Sequence, residues 1–445
     1  MIYKSIMVLI TLLTFSIYCI GQIDQKPNII IFFVDDMGWA DWGLRNPAFN
    51  TPNLDQLKKE GMEFTRAYVA TPTCSPSRAS LLTGKEPIRF LMPRHVADAG
   101  GEKKDKEEFN YWPSDPANMP SRNWLPLNEI TYAERLKDFG YYNQFIGKWH
   151  LGEEAFYPIH QGFDNEIGVT PFGQPGNYYP PYWKKDNPFP KASNEYLTDL
   201  LTDKAVSFIK DYKEKKPFEL SFYHYGVHSP LIGKNELIAH YKSLGWEDKY
   251  AHYGAMVSAV DESLGRLRKA LKEKGIENNT IIIFTSDQGG YFSNYPLRGK
   301  KLGGNTLGEG GARVPFIIHW PGQTKAGAEC DVPTQTLDVY PTLIEWASGK
   351  PCTDTQIQGK SLIPLLLGHK FPERKLYFFR SYEDQYTAII DGDWKLIKYH
   401  KGETELYNIK KDSGEVSNLI YNNPSIAKQL LNDLLVWEKQ AVPTF

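Results

Sequence analysis

The amino-acid sequence predicts an α/β protein, in which helices flank a large, mostly parallel β-sheet and a smaller C-terminal α+β subdomain follows. The first indication is a series of short apolar runs that each end in a polar cluster. Two of these runs, residues 28–34 and 280–286, are rich in isoleucine, as expected for strands buried on both faces. The second indication is the helical pattern between the runs. The third is a change near residue 350 from alternating strand and helix patterns to a β-hairpin pattern followed by a helix.

Polar clusters follow four of the predicted strands. The runs 28–34, 142–146, 218–227 and 280–286 precede, in order, Asp35-Asp36, Lys148-Trp149-His150, His228 and Asp287-Gln288. The carboxyl ends of parallel strands meet at one edge of a sheet, and open α/β sheets bind their ligands there. We therefore expect the four clusters to form one site.

Helix signals lie between these runs. Thr131 and Glu134 have the spacing of a capping box, and Gly140 stands where that helix should end. Over residues 253–274 the apolar residues recur at three- and four-residue spacing, and Gly275 follows, which predicts a long amphipathic helix.

The C-terminal part has a different pattern. Two apolar segments, residues 386–390 and 394–399, flank Asp391-Gly392-Asp393 and predict a β-hairpin, and a helical stretch covers residues 425–439. We therefore predict a catalytic domain over residues 23–350 and a C-terminal subdomain over residues 351–445.

Composition narrows the class of function. The chain has 445 residues with 51 Lys and Arg against 53 Asp and Glu, a formal net charge of -2. This balance lacks the basic surface that general nucleic-acid binding requires, so we expect no nucleic-acid partner. Aromatic residues make up 14% of the chain, which argues against disorder. The composition indicates a globular enzyme.

The first 22 residues have the features of a signal peptide. Lys4 precedes an apolar run over residues 5–20, which is shorter than the roughly 20 residues of a membrane span. We expect cleavage near Gly21, export to the periplasm or the medium, and no membrane span afterwards. An uncleaved anchor is the alternative, whereas bulky Tyr18 argues against lipid modification of Cys19.

Removal of this segment leaves Cys74, Cys330 and Cys352. An odd number of cysteines in an exported protein requires an explanation. If Cys74 has a chemical role, Cys330 and Cys352 either form a disulfide or remain two buried thiols, and the sequence does not decide between these.

Acidic residues at two strand ends predict a metal site. Asp35, Asp36 and Asp287 would repel one another unless a cation neutralises them. Together with Gln288 they offer only oxygen ligands, which suits Ca²⁺ or Mg²⁺ better than Zn²⁺. The alternative is a pair of ordinary acidic surface loops.

The segment from Thr71 to Gly84 contains a single cysteine, Cys74, before Ser-Pro-Ser-Arg. Physical reasoning alone allows a reactive thiolate at a helix N-terminus or a buried, inert cysteine. The segment, however, resembles the formylglycine signature of the type I sulfatases, C-x-P-x-R followed by Leu-Thr-Gly. Its matching residues are Cys74, Pro76, Arg78 and Leu82-Thr83-Gly84.

The resemblance extends over most of the chain. Gly147 to Gly152 resembles the second sulfatase signature, and other family motifs appear in order at Thr51–Asp55, Gly61–Phe64, Gln161–Asp164, Glu309–Pro315 and Asp391–Leu396. Any one of these motifs is weak evidence, but several in the expected order are specific. The resemblance implies an alkaline-phosphatase-like fold and hydrolysis of a sulfate monoester.

The family chemistry can be transferred residue by residue. The resemblance implies that Cys74 is oxidised to formylglycine, whose hydrate attacks sulfur, and that one Ca²⁺ is held by Asp35, Asp36, Asp287, Gln288 and residue 74. It further implies that Arg78 and Lys148 steady the nucleophile, His150 accepts a proton from it, His228 protonates the leaving oxygen and Lys301 binds sulfate. Two positions depart from the family pattern: Asn is commoner at Gln288, and an insertion before Glu309 keeps Lys300 as an alternative to Lys301.

The expected partners are a sulfated carbohydrate and a sulfatase-maturating enzyme. The carbohydrate rests on family habit and on residues 171–190, a Pro-, Gly- and Tyr-rich loop that we expect near the site. Three alternatives remain open: a phosphate or phosphonate ester hydrolase on the same scaffold, a glycan-binding relative without turnover, and an ordinary cysteine hydrolase, which needs a base beside the thiol.

Overall fold

The computed structural model describes residues 26–97, 107–112, 115–381 and 385–443. The predicted signal peptide and Cys19 lie outside these residues. The strands are β1 (Asn28–Val34), β2 (Met62–Phe64), β3 (Ala67–Tyr68), β4 (Phe109–Asn110), β5 (Ser121–Arg122), β6 (Tyr142–Gly147), β7 (Asn165–Ile167), β8 (Phe218–Tyr223), β9 (Thr280–Ser286), β10 (Phe316–His319), β11 (Ala328–Cys330), β12 (Thr334–Gln335), β13 (Lys375–Phe379), β14 (Gln385–Asp391), β15 (Trp394–Tyr399) and β16 (Thr404–Asn408).

The helices of the described residues are α1 (Pro52–Glu60), α2 (Cys74–Thr83), α3 (Tyr132–Asp138), α4 (Leu197–Asp211), α5 (Asn235–Ser243), α6 (Asp248–Lys274), α7 (Glu309–Ala312), α8 (Val339–Ser348), α9 (Ile363–Leu366) and α10 (Pro424–Ala441). None of them combines the length and the apolar character needed to cross a membrane.

An eight-stranded sheet forms the centre of the protein, in the order β11-β2-β10-β9-β1-β8-β6-β7. The five adjacent strands β9, β1, β8, β6 and β7 run parallel to one another, whereas β10 is antiparallel to β9 and to β2. The sheet is therefore mixed and mostly parallel. The predicted fold class is confirmed.

Both faces of this sheet are buried, because helices cover each of them. On β1, Ile29, Ile31 and Phe33 point into a core shared with α2, α3 and α8. The alternate side chains of the same strand contact a second core, built with α1, α4 and α6. All seven residues of β1 are buried. This two-sided burial explains why the strand is a continuous apolar run rather than an alternating one.

Local signals locate several elements correctly. Thr131 and Glu134 form the capping box at the start of α3, and Gly275 caps α6 in a left-handed conformation. The long helix begins at Asp248, earlier than residue 253, because its first turn packs against α5 rather than the main core. The predicted strand over residues 218–227 is shorter, since β8 ends at Tyr223.

The segment over residues 100–123 is charged and rich in turn-forming residues, which predicts a surface insertion, but its described part is bound to buried residues of the protein. Arg94 is buried and donates hydrogen bonds to Asp115 and to the carbonyl oxygens of Asn110 (3.0 Å) and Met119 (2.8 Å). The charged composition is misleading here because Asp115 is neutralised by a buried arginine. The described cysteines, Cys74, Cys330 and Cys352, are all free, so the latter two form no disulfide.

The C-terminal subdomain is a four-stranded antiparallel sheet, β13-β14-β15-β16, with α10 on one face. The predicted hairpin is β14–β15 and the predicted helix is α10, so both are confirmed. The other face of this sheet packs against Tyr68, Leu307 and Ala312 of the large domain. The domain boundary at residue 350 stays a prediction.

A buried ion cluster joins the two parts of the chain. Lys395 Nζ on β15 lies 2.9 Å from Glu309 Oε1 on α7 and 3.0 Å from Glu415 Oε1, and all three side chains are fully buried. Glu309 Oε2 also accepts a hydrogen bond from Tyr68 (2.8 Å). Lys395 therefore lies between two carboxylates that are shielded from water, and Arg313 and Arg298 each contact one of them at 3.4 Å.

Replacing Lys395 by Met should destabilise the protein strongly. Loss of the ammonium leaves Glu309 with Arg313 and Glu415 with Arg298 as their remaining cations, each at 3.4 Å, and breaking such a buried cluster typically costs about 3–5 kcal/mol. Chemical denaturation measures the free energy of unfolding. The matched control is Lys375→Met, which removes a partly exposed pair with Asp433 and should cost about 0–1 kcal/mol. Equal losses in the two variants would contradict the assignment of Lys395 as the joint.

Candidate active site

The carboxyl edge of the sheet collects the four polar clusters, as predicted. β1 ends directly before Asp35 and Asp36, and its neighbour β9 ends before Asp287 and Gln288. On the other side of β1, β8 leads to His228, and β6 leads to Lys148 and His150. The parallel arrangement of these four strands brings residues that are far apart in sequence to one place.

Three carboxylates and three cations meet at this edge, and the carboxylates are fully buried. Lys148 Nζ lies 2.5 Å from Asp35 Oδ2, and Lys301 Nζ lies 2.5 Å from Asp36 Oδ2. Arg78 contacts Asp287 (3.1 Å) and Asp35 (3.4 Å). Burial and the nearby Asp35 raise the pKa of Asp287 to about 6, although Arg78 opposes this. The cluster holds its acids only because each is paired.

The same acids could hold a divalent cation. Asp35, Cys74 and Asp287 have ligand atoms within 4.8 Å of one another, as do Asp36, Cys74 and His228. Asp35 Oδ1 is buried and accepts no hydrogen bond. Gln288 joins the two groups, since its Nε2 donates to Asp36 Oδ1 (2.8 Å) and to Cys74 Sγ (3.1 Å). The donor set is mainly carboxylate oxygen, which fits a hard cation.

Cys74 is the first residue of α2, after Thr73 in extended conformation, and its exposed fraction is 6%. Burial raises the pKa of the thiol to about 12, against the opposing effect of Lys148 and Lys301. An ordinary cysteine hydrolase requires a thiolate with a lowered pKa. The unmodified thiol is therefore neutral near pH 7, which argues against that class of enzyme.

Two histidines border the cluster in different ways. His150 is 4% exposed, with a left-handed backbone, and burial and Lys148 hold its pKa well below the ordinary range. His228 has Nε2 3.6 Å from Asp36 Oδ2 and Nδ1 2.8 Å from the carbonyl oxygen of Ser229. A carbonyl oxygen only accepts hydrogen bonds, so Nδ1 carries the proton and Nε2 faces the acids. Burial lowers the pKa of His228 to about 3.

The structure brings Lys301 into the cluster, whereas Lys300 is exposed. It therefore gathers every residue that the sequence nominated for catalysis and metal binding, with Lys301 in place of its alternative. Sequence reasoning missed Ser229 and Tyr291, which contact His228 and Lys301. A Ser-Pro step after a histidine and an aromatic residue after Gly289-Gly290 are weak signals that nevertheless point to them.

The aromatic loop over residues 171–190 lies beside the site, as expected. Gly173 packs on the ring of His150, and the Tyr178 hydroxyl donates to the carbonyl oxygen of His228 (2.8 Å). Tyr178, Tyr182 and Trp183 are nevertheless buried in the core. These three rings pack in the core beneath the loops that carry the site residues, so they do not form a surface on which a sugar could stack.

Comparison of the chain with known protein families identifies the class of protein to which this fold and this site belong. A family model described as Sulfatase matches residues 27–350, and one described as N-sulphoglucosamine sulphohydrolase, C-terminal, matches residues 306–440. The chain belongs to the sulfatase family, and it is a sulfuric ester hydrolase with the alkaline-phosphatase-like fold.

Individual relatives match over most of the chain. N-acetylgalactosamine-6-sulfatase of Mus musculus is 32% identical over 402 residues, which are 83% of this chain and 72% of the relative. Arylsulfatase A of Homo sapiens is 30% identical over 454 residues, covering 89% and 84%. The crystal structure of Ps i-CgsB in complex with k-i-k-neocarrahexaose is 29% identical with a TM-score of 0.80, covering 95% of each chain.

His224, four residues before His228, is a structural histidine. Its ring is fully buried between Phe222 and Phe32, with centroid distances of 4.1 and 4.8 Å, and burial lowers its pKa to about 3. The folded protein therefore rejects a proton at this position that the unfolded chain accepts below its ordinary pKa of 6.5. This residue stabilises the fold above pH 6.5, and the contribution is lost as the pH falls towards 3.

The His224→Phe variant should show a weaker pH dependence of stability than the wild type. Between pH 7 and pH 5 the wild type should lose about 2 kcal/mol more of its free energy of unfolding than the variant, because only the wild-type unfolded chain gains a proton here. Urea denaturation at both pH values measures this difference. Identical pH dependence in the two proteins would contradict the assignment.

Proposed function

We propose that this sulfatase hydrolyses a sulfate monoester on a carbohydrate, with a formylglycine made from Cys74 as the nucleophile and one bound Ca²⁺. The observation that carries the proposal is the position of Cys74: it begins α2 inside a buried cluster of three carboxylates and three cations. The carbohydrate is supported by the names of the relatives, which include an N-acetylgalactosamine-6-sulfatase and a complex with k-i-k-neocarrahexaose.

Conversion of Cys74 would replace CH₂SH by an aldehyde. This change is a two-electron oxidation of the β-carbon that releases the sulfur as sulfide, so it requires an external oxidant, which a sulfatase-maturating enzyme would supply. A neutral, buried thiol is a poor nucleophile, because the reactive form of cysteine is the thiolate. Its location among cations suits the oxygen nucleophile that replaces it.

Turnover then uses a geminal diol at position 74. One hydroxyl loses its proton to a carboxylate of the cluster while its oxygen attacks sulfur, and the bond from sulfur to the sugar oxygen breaks. His228, once protonated, donates from Nε2 to that leaving oxygen. His150 accepts the proton of the second hydroxyl, the carbon–oxygen bond to sulfate breaks, and the aldehyde returns. The second hydroxyl is what permits release, since a serine would remain a stable sulfate ester.

The cations of the cluster serve the charge that develops during these steps. Lys148 and Arg78 hold the diol in place, and Lys301 binds the sulfuryl oxygens, on which negative charge accumulates in the transition state. Asp35, Asp36, Asp287, Gln288 and residue 74 would hold Ca²⁺, which supplies Lewis-acid chemistry and a template when bound.

Export and processing complete the proposal. We propose that residues 1–22 direct the chain to the periplasm or the medium, with residues 23–350 as the catalytic domain and residues 351–445 as the C-terminal subdomain. No nucleic-acid partner is proposed, in line with the near-neutral net charge.

The nucleophile is tested by mass spectrometry of the peptide that contains Cys74, after production in a host with a maturating enzyme. Active protein should carry the aldehyde and should hydrolyse nitrophenyl sulfate and a sulfated oligosaccharide faster than nitrophenyl phosphate. Cys74→Ala should lose activity by on the order of 10³-fold or more, and Cys330→Ala should match the wild type. An unmodified thiol in active protein, or a preference for phosphate, would overturn the proposal. Full activity of Cys74→Ala would do the same.

The metal site is tested by binding rather than by rate alone. Ca²⁺ at 100 times its dissociation constant should raise the free energy of unfolding by about 2.7 kcal/mol, and a chelator should reverse this. Asp35→Asn and Asp287→Asn should abolish the stabilisation. Asp261→Asn is the matched control, because this buried acid accepts bonds from Asn53 and Leu54, away from the cluster. A Ca²⁺ effect that survives in the two cluster variants would place the ion elsewhere.

A further inference from the structure

Tyr291 lies between Lys301, which binds sulfate in the proposed function, and His228, which protonates the leaving oxygen. Lys301 Nζ is 4.7 Å from the centroid of its ring. On the other side, the hydroxyl of Tyr291 donates a hydrogen bond to Ser229 Oγ (2.8 Å). The ring also meets the ring of His228 edge-on, at a centroid distance of 6.1 Å and an interplanar angle of 85°.

The contact with Ser229 reaches His228 directly. The carbonyl oxygen of Ser229 accepts the Nδ1 proton of His228 (2.8 Å), and Ser229 Oγ lies 3.3 Å from the same nitrogen. Serine therefore holds the imidazole at one nitrogen and leaves Nε2 to face the reacting atoms. Because the Tyr291 hydroxyl anchors the serine side chain, it helps to set the orientation of the imidazole.

The contact with Lys301 is of a different kind. The ammonium group is bound to Asp36 Oδ2 at 2.5 Å and is almost entirely buried, so few conformations are open to it. The face of an aromatic ring attracts a cation and adds no negative charge that would compete with sulfate. The ring of Tyr291 thus keeps Lys301 in place without neutralising it.

We propose that Tyr291 is a positioning residue with two roles: its hydroxyl orients His228 for protonation of the leaving oxygen, and its ring holds Lys301 for sulfate binding. The proposal rests on the proposed function of these two residues. Its two halves are separable, since the hydroxyl acts through Ser229 on His228 and the ring acts on Lys301. Removal of the hydroxyl and removal of the ring should consequently have different kinetic signatures.

The Tyr291→Phe variant removes the hydroxyl and keeps the ring. A sugar alkoxide needs protonation as it leaves, whereas nitrophenolate needs little, so a misplaced acid affects only the first. We expect kcat/KM to fall by about 10-fold on a sulfated sugar and by less than about 2-fold on nitrophenyl sulfate. Inhibition by inorganic sulfate should be unchanged, and Ser229→Ala should show the same pattern.

The Tyr291→Leu variant removes the ring as well. The inhibition constant for inorganic sulfate should then rise by about 3- to 10-fold, in addition to the loss on the sugar substrate. Tyr295→Phe is the matched control, since this tyrosine follows on the same loop with 83% of its surface exposed, and it should match the wild type. Thermal unfolding of each variant verifies that the fold is intact.

Equal losses on both esters in Tyr291→Phe would overturn the link to His228 and leave a merely structural tyrosine. Unchanged sulfate inhibition in Tyr291→Leu would overturn the link to Lys301. These results differ from failure of the proposed function, in which the matured wild type itself cleaves neither sulfate ester. That outcome would overturn both proposals together.

Discussion

Charge neutralisation without water is the constraint on which this site depends. Asp35, Asp36 and Asp287 lie at the ends of adjacent buried strands, where their carboxylates have no water to solvate them. Arg78 and Lys148 are equally buried, and Lys301 is nearly so. Burying the carboxylates without the cations, or the cations without the carboxylates, would strongly destabilise the fold. The sheet, α2 and the loop after β9 must therefore assemble together. The fold and the reactive centre are therefore specified by the same contacts.

The C-terminal subdomain participates in that unit. Its sheet packs on Tyr68, Leu307 and Ala312, and Lys395 meets Glu309 at the start of α7. Arg380 donates to the carbonyl oxygen of Pro72 (2.6 Å), in the turn that precedes Cys74. The subdomain thus supports the turn that precedes Cys74.

The sequence predicted correctly those features in which a local residue pattern follows directly from the position of a strand in the sheet. The apolar runs before Asp35 and Asp287 are buried on both faces, so their ends had to reach one edge. The sequence did not predict in which direction the side chains of a loop point. The aromatic residues Tyr178 and Trp183 point into the core, although their composition suited a sugar-binding loop equally well. The partnership of Tyr291 and Ser229 joins positions 62 residues apart, through loops whose course no periodicity encodes.

The burial of Cys74 has a consequence for biosynthesis. In the folded chain its sulfur accepts a hydrogen bond from Gln288 Nε2 (3.1 Å) and lies among the buried charges of the sheet edge. Only 6% of the Cys74 surface is exposed in that state, which restricts the access of a second protein to the β-carbon. If the aldehyde forms as proposed, we expect the modifying catalyst to act most readily on the chain before it folds, so the order of modification and folding becomes part of what makes the enzyme competent.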